Sequence, residues 1–281
     1  MTADPQQLER LGDRLRAEGR LEEAAAAFDK LLAVDPHHLK ASRIISSITG
    51  LTSSIQSAPG GLKPAPFVII REFLDPAVRN VLHLGLLSKG AELLEAATTQ
   101  GIHLDYRRSR ILADCFGHVE PALERHFYAR FLAYWPEARS RLRIAEFEPS
   151  LSETHALFYG NGDFFAPHKD TGAENTRRVT FVCNLQSTPR SFEGGDLILY
   201  DTYFRPGRTT HDPEEPCFAT TYTRILPEDN RLIIFPSEFY HEVTPVIYRG
   251  TDPAGERVSI TGWVHTTREG GAPDRIASTP Y

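Results

Sequence analysis

Three places in the chain read His-x-acid: His103-Leu104-Asp105, His118-Val119-Glu120 and His168-Lys169-Asp170. With 11 histidines and 37 acidic residues, such a tripeptide recurs by chance. The third is set apart by its downstream context: a series of short strand-like segments, then His241 in FPSEFYHEVTPV, then Arg257 in GERVSITGW. Two histidines and one carboxylate can occupy one face of a metal ion and leave three coordination positions open. That is the arrangement an O2-activating non-haem Fe(II) centre requires. The i, i+2 spacing lets His168 and Asp170 point the same way from an extended segment. The second histidine must then come from another strand.

The segment around Arg257 is a strand with two distinct faces. Period two puts Arg257, Ser259, Thr261, Trp263 and His265 on one side, and Val258, Ile260, Gly262 and Val264 on the other. The apolar side suits a packed layer. The other side is either solvent-facing or the lining of a polar cavity. A charge inside a cavity needs an anionic partner, and a guanidinium fork suits a carboxylate. Ser259 can donate to the same carboxylate. His155 shares a face with Leu157 and Tyr159 and reads as core or pocket wall. His265, at the strand end, reads as exposed. Cys183 and Cys217 read as inert thiols.

The elements that must position these residues are β-rich from about residue 144. Strands are expected at 153–159, 178–185, 196–200, 231–235, 241–248 and 257–265, separated by turn signals. Regular short strands suggest a sandwich, barrel or jelly roll. Residues 201–226 are long, polar and weakly periodic, and read as a functional loop at the entrance to the site. This loop carries Tyr203, Arg205, Arg208, Tyr222 and Arg224, which suits an anionic or peptide substrate. Before the β-region, Phe67–Ile70 reads as a strand. Asp75-Pro76 opens a helix expected to run to about Ala97, with Asp75 as N-cap. A second helix is expected over Pro121–Tyr134, ending before Pro136.

Residues 5–48 carry apolar side chains at helical spacing, punctuated by Gly19 and stopped at Asp35-Pro36. This segment resembles a single tetratricopeptide unit, through Leu11-Gly12, Leu15, Ala24, Phe28 and Pro36. One such unit cannot bury its own apolar face. It must dock on the rest of the chain, on a twin subunit to form a homodimer, or on a partner. Residues 50–66 are rich in Gly, Ser and Pro and read as a linker. The expected organisation is therefore a helical hairpin over 1–49, a linker over 50–66 and a main domain over 67–281.

Composition excludes several classes. The chain has 281 residues, 41% hydrophobic and 24% charged, which suits a globular α+β protein. A net charge of −6 leaves no electrostatic footprint for nucleic acid or for an anionic membrane. No apolar run approaches the roughly 20 residues of a membrane span. The N-terminus lacks the features of a secretory signal, and three scattered cysteines fit a reducing compartment. The expectation is a cytoplasmic protein.

HKD at 168–170, EGGDLILY at 193–200, FPSEFYHEVTPV at 235–246 and RVSITGW at 257–263 occur in this order. Together they resemble the prolyl 4-hydroxylase-type branch of the Fe(II)/2-oxoglutarate dioxygenases, over about residues 66–266. The resemblance implies a double-stranded β-helix (jelly-roll) core with supporting helices. It implies that His168, Asp170 and His241 hold Fe(II), and that Arg257, with Ser259 beside it, binds the distal carboxylate of 2-oxoglutarate. Tyr159 matches a tyrosine lining the co-substrate pocket. Phe165 stands where close relatives often carry a second tyrosine, and Asn184 is the candidate replacement donor. O2 as co-substrate and ascorbate as activator follow from the same resemblance. Because Asp170 is present, hydroxylation is expected, where related halogenases lack that carboxylate. The implied substrate is a peptidyl (including prolyl), protein or amino-acid-like side chain with an unactivated C–H. A small natural-product intermediate is the alternative substrate. A retired oxygenase serving as an adaptor, or a cupin-like enzyme with another metal, are the competing classes.

Overall fold

The computed structural model describes residues 4–50, 61–97, 101–171, 176–204 and 218–266. Helix α1 (Pro5–Ala17) starts where the Asp4 side chain accepts from the Gln6 N–H and Pro5 fits the first turn. Gly19 takes a left-handed conformation (φ 76°) that turns the chain into α2 (Leu21–Val34). A third helix comes next, α3 (Leu39–Thr49), which ends on Gly50 at φ 79°. Phe28, Leu31, Ala41 and Ile44 form the core of this helical segment. Gly12 of α1 lies so close to the Phe28 ring that any β-carbon there would collide with it.

The main body is a sandwich of two antiparallel sheets with helices on one outer face. One sheet has the order β2-β12-β8-β15-β6-β5-β3. Its strands are β2 (Val68–Ile70), β3 (Leu94–Glu95), β5 (Arg110–Ala113), β6 (Pro149–Tyr159), β8 (Arg177–Asn184), β12 (Arg231–Pro236) and β15 (Arg257–Thr266). The facing sheet runs β1-β10-β13-β7-β4, with β11 paired to β10. Here β1 is Gly61–Lys63, β4 Arg107–Arg108, β7 Phe164–His168, β10 Leu197–Phe204, β11 Phe218–Ile225 and β13 His241–Val243. A short ribbon joins β9 (Glu193–Gly194) to β14 (Val246–Ile247). The outer face of the first sheet is covered by α4 (Pro76–Leu87) and α5 (Pro121–Leu142). Leu82, Leu86, Phe127, Phe131 and Trp135 there pack on Phe181, Val258, Ile260 and Val264. Thus the apolar face of β15 is buried under helices, as its alternation predicts. Gly262 on that face leaves room for the Phe181 ring. Between the sheets, Val182, Ile233 and Phe235 meet Leu197, Leu199 and Ile225.

The helical segment docks in cis, and α1 crosses β11. Its Arg16 is 0% exposed and forms a fork on the equally buried Asp201 of β10, with Nη2–Oδ1 at 2.6 Å and Nη1–Oδ2 at 3.0 Å. Arg16 Nε donates to Thr223 Oγ1 at 3.0 Å, and Thr221 Oγ1 donates to Asp201 Oδ2 at 2.7 Å. Leu21 of α2 and Ile48 of α3 complete the seal on the inter-sheet core.

Several sequence expectations require correction. The helix expected to reach Ala97 stops at Leu87, where Ser88 and Gly90 are poor helix formers and β3 begins soon after. α5 does not stop before Pro136 but runs through it to Leu142. The carbonyl that Pro136 leaves without a donor belongs to Leu132, a residue on the exposed side of the helix. Asp75 occupies the N-cap position but makes no side-chain cap, and its carboxylate lies 3.5 Å from His126 Nε2. The expected strand 241–248 is divided at Thr244-Pro245, because proline has no N–H for a ladder. Residues 201–226 are not one loop, since 201–204 extend β10 and 218–225 form β11. The remainder of that segment, with Arg205, Arg208 and Cys217, lies outside the described residues, as does 51–60 of the expected linker. Residues 61–63 of that linker form β1 against β10.

Replacing Arg16 by Met leaves Asp201 charged and unpaired in the interior. Equilibrium urea unfolding should show a loss of about 3–5 kcal/mol, with the Arg16→Met/Asp201→Leu double variant recovering most of it. His83 of α4 supplies a pH prediction. Burial first, and Arg79 second, lower its pKa from 6.5 to about 4, and its Nε2 is buried without a partner. Because the folded state resists the proton, the unfolded state binds it first, and stability falls as pH drops from about 6.5 towards 4. A His83→Gln variant should lose less stability over that interval in urea titrations at pH 7 and pH 4.5.

Candidate active site

His168 ends β7 and His241 opens β13, and the two residues lie directly opposite each other in the antiparallel pair. Their ring centroids are 4.1 Å apart. Asp170, just past β7, is held by its N–H donating to the Ser237 carbonyl at 3.1 Å. Its carboxylate faces both histidines, at 3.7 Å from His168 Nε2 and 3.3 Å from His241 Nε2. One ligand atom from each of the three residues falls within 4.8 Å of the others, the only such cluster among the described residues. The spacing of the tripeptide and the distal histidine thus does bring three donors to one point.

The surroundings fix which atoms face inwards. His168 Nδ1 lies 2.8 Å from the Ala166 carbonyl and His241 Nδ1 lies 3.0 Å from the Phe239 carbonyl. A carbonyl only accepts, so each Nδ1 carries the proton and each Nε2 presents a lone pair. Burial, then the neighbouring His241, lowers the His168 pKa to about 3, so that lone pair is free at neutral pH. Asp170 is opposed by burial, but His241 and the Thr180 hydroxyl hold its carboxyl below the usual range. Thr180 Oγ1 donates to Asp170 Oδ2 at 2.7 Å and lies 3.0 Å from Ser237 Oγ. Neither hydroxyl was legible as part of the site, since an isolated Thr or Ser carries no pattern.

Behind the triad, β15 meets β6 with Arg257 opposite Tyr159. Arg257 is only 1% exposed, so this end of the polar face of β15 is turned into the protein and not to solvent. Its Nε donates to the Gly195 carbonyl at 2.7 Å and its Nη1 to Ser259 Oγ at 3.2 Å, while the guanidinium sits 4.9 Å over the Tyr159 ring. Among the described residues no carboxylate lies within ion-pair distance of it. Gly195, at φ 66°, makes this seat, because a β-carbon there would meet Arg257 Cδ at 2.5 Å. Asn184 lies beside Ser259 in the β8–β15 register, is buried, and has an Oδ1 with no hydrogen-bond partner. A buried cation without an anion and an orphaned amide beside it fit a missing polyanionic ligand. Phe165, where a second tyrosine would bring a hydroxyl, stacks on the His168 imidazole with centroids 3.5 Å apart. It acts there as an apolar wall.

The other sequence candidates fall elsewhere. His155 is a wall residue, T-stacked on Trp263 with centroids 5.5 Å apart. His265 is mostly buried and not exposed, with Nδ1 2.8 Å from Thr176 Oγ1 and Nε2 3.7 Å from Glu153. Its strand continues one residue further and carries it under the β6 edge. His118 pairs with Glu92, and His103 is exposed. Cys115 and Cys183 are buried thiols whose pKa values burial pushes up, which fits inert residues. Tyr203 is exposed, Tyr222 lies against Tyr200, and Arg224 lies 3.5 Å from Asp196.

Residues 154–265 match the 2OG-Fe(II) oxygenase superfamily. That stretch is similar to a 2OG-Fe(II) oxygenase domain. A PKHD-type hydroxylase of Synechocystis sp. that is itself uncharacterized is 29% identical over 203 residues, covering 72% of this chain. The match spans 63% of that relative's length, a little under two thirds. Among solved structures, a prolyl-4-hydroxylase from Pseudomonas putida superposes with a TM-score of 0.53 at 23% identity, covering 72% of this chain and 93% of that one. A prolyl hydroxylase from Trichoplax adhaerens, in complex with a hypoxia inducible factor peptide, gives 0.50 at 19% identity over 71% and 83%. These likenesses establish the jelly-roll fold. Among the described residues no helix is long and apolar enough to cross a membrane.

Thr180→Val removes the donor that orients Asp170 while leaving all three candidate ligands. Mn(II) affinity, measured by electron paramagnetic resonance, is expected to fall about 10–100-fold, with the fold intact by circular dichroism.

Proposed function

We propose that this protein is an Fe(II)- and 2-oxoglutarate-dependent hydroxylase of an unactivated C–H on a peptidyl or amino-acid side chain. The observation that carries the reading is the pairing of two incomplete sites: three converging ligand atoms, and a buried guanidinium with no anion. Fe(II) bound by His168, Asp170 and His241 supplies O2 activation, coupled to oxidation of 2-oxoglutarate to succinate and CO2. The residues themselves do the positioning. The Ala166 and Phe239 carbonyls hold both imidazoles in the ligating tautomer. Thr180 holds the carboxylate. Arg257 and Ser259 are set to take the far carboxylate of the diacid in a fork, which distinguishes it from a monocarboxylic 2-oxo acid. Asn184 offers a further polar contact, and Tyr159 and Phe165 form apolar walls that exclude water from the reacting centre.

A peptide-type substrate is supported by the PKHD-type and prolyl-hydroxylase likenesses, with the limit that fold does not fix substrate. The intact ligand set and the retained Arg257 argue against a retired adaptor, and the buried arginine argues against a cupin-like site without 2-oxoglutarate. The reading is tested by succinate formation from 2-oxoglutarate with Fe(II) and ascorbate. Asp170→Ala should abolish turnover, and Arg257→Gln should raise the apparent KM for 2-oxoglutarate at least about tenfold. Undiminished turnover in Asp170→Ala would end the proposal.

A further inference from the structure

Arg107 is a second, half-buried cation beside this site, and neither metal ligation nor the grip on the diacid uses it. It lies on β4, the edge strand beside β7, with Arg107 opposite Phe165. Its guanidinium sits 4.5 Å over the Phe165 ring. His168 stacks 3.5 Å from the same ring, so the phenyl group contacts both the imidazole and the guanidinium. Nε donates to Ser109 Oγ at 3.2 Å and Nη1 to the Ala97 carbonyl at 3.1 Å. Both acceptors are neutral. An arginine has five N–H donors, so the Nη2 group is left without a partner among the described residues. No carboxylate among them lies within ion-pair distance. Burial pulls the Arg107 pKa below its ordinary value, with Tyr159 and Asp170 near enough to oppose the shift.

A charge count shows what is missing. A divalent metal and a dianionic co-substrate cancel. Asp170 offsets one guanidinium. Asp196 is already paired with Arg224, and Glu256 with Arg110. Of Arg107 and Arg257, one positive charge therefore remains in a pocket that disfavours unpaired charge. Arg257 is enclosed, but Arg107 is on the edge strand next to Tyr106, which is 38% exposed. Arg107 itself is half-buried, so of the two cations it is the one that reaches solvent.

We infer that Arg107 is a specificity-determining residue that binds a carboxylate next to the metal centre, the substrate's own in preference to the C1 carboxylate of the co-substrate. This inference rests on the proposed function. The fixed guanidinium selects an acidic group on the molecule to be hydroxylated and orients it by a fork of hydrogen bonds. Phe165 sets its distance from the reacting centre.

The test uses full-length protein loaded with Mn(II), so that no turnover is required. N-oxalylglycine is titrated first by calorimetry. N-acetyl-L-proline, N-acetyl-L-leucine and hippurate, each paired with its amide, are then titrated into the Mn(II)·N-oxalylglycine form. In the unaltered protein at least one carboxylate should bind about tenfold or more tightly than its amide. Arg107→Gln should abolish that preference and leave N-oxalylglycine affinity within twofold. Arg107→Lys, which keeps the charge without the fork, should retain part of the preference and guards against a folding defect. If N-oxalylglycine weakens tenfold in Arg107→Gln and the panel does not, the carboxylate served is the co-substrate's. If neither changes, the inference is overturned. Arg257→Gln serves as the separate control: unchanged N-oxalylglycine binding there would remove the co-substrate reading itself, whatever Arg107 does.

Discussion

Arg257 is a full positive charge held between two β-sheets, and among the described residues its company is a carbonyl, a hydroxyl and the face of a phenol. Such a charge is unfavourable unless an anion comes to it, and much of the surrounding chain is arranged to keep it there. Gly195 gives up its β-carbon so that the arginine stem can pass. Tyr159, directly opposite on β6, offers the electron-rich face of its ring. The cation is thus stored in advance, and a ligand bringing negative charge recovers electrostatic stabilisation that the folded protein lacks by itself.

The triad is organised on the same logic of partners supplied beforehand. The two histidines face each other across neighbouring antiparallel strands, so ladder register sets their separation. Side-chain freedom is then removed by carbonyls on the same short segments, two residues before each imidazole. Phe165 blocks one face of His168. Asp170 is fixed by a hydroxyl from β8 and a backbone carbonyl from the turn after β12. Little reorganisation is left for the moment of binding.

The legible part of this arrangement is the part that obeys a period or a spacing. The two faces of β15 could be read from alternation alone, as could the pairing of His168 with Asp170. What escaped has no local signature. Thr180, Ser237 and Arg107 reach the site from elements whose proximity only the tertiary fold creates. β11 looked like a loop because two of its inward positions, Thr221 and Thr223, are hydroxyls, and their partners are Asp201 of β10 and the guanidinium of Arg16 from α1. α5 continued past Pro136 because solvent replaced the lost hydrogen bond, a circumstance that depends on which way Leu132 faces.

β10 has two neighbours with very different duties. On one side Leu199 is in register with His241. Two residues further along the same strand, Asp201 is the socket for Arg16. The N-terminal helices are therefore wired to the strand that braces His241, and they cannot be exchanged as a cassette. A chimaera that imports another helical leader would have to bring its own plug for that socket, or replace the aspartate at the same time.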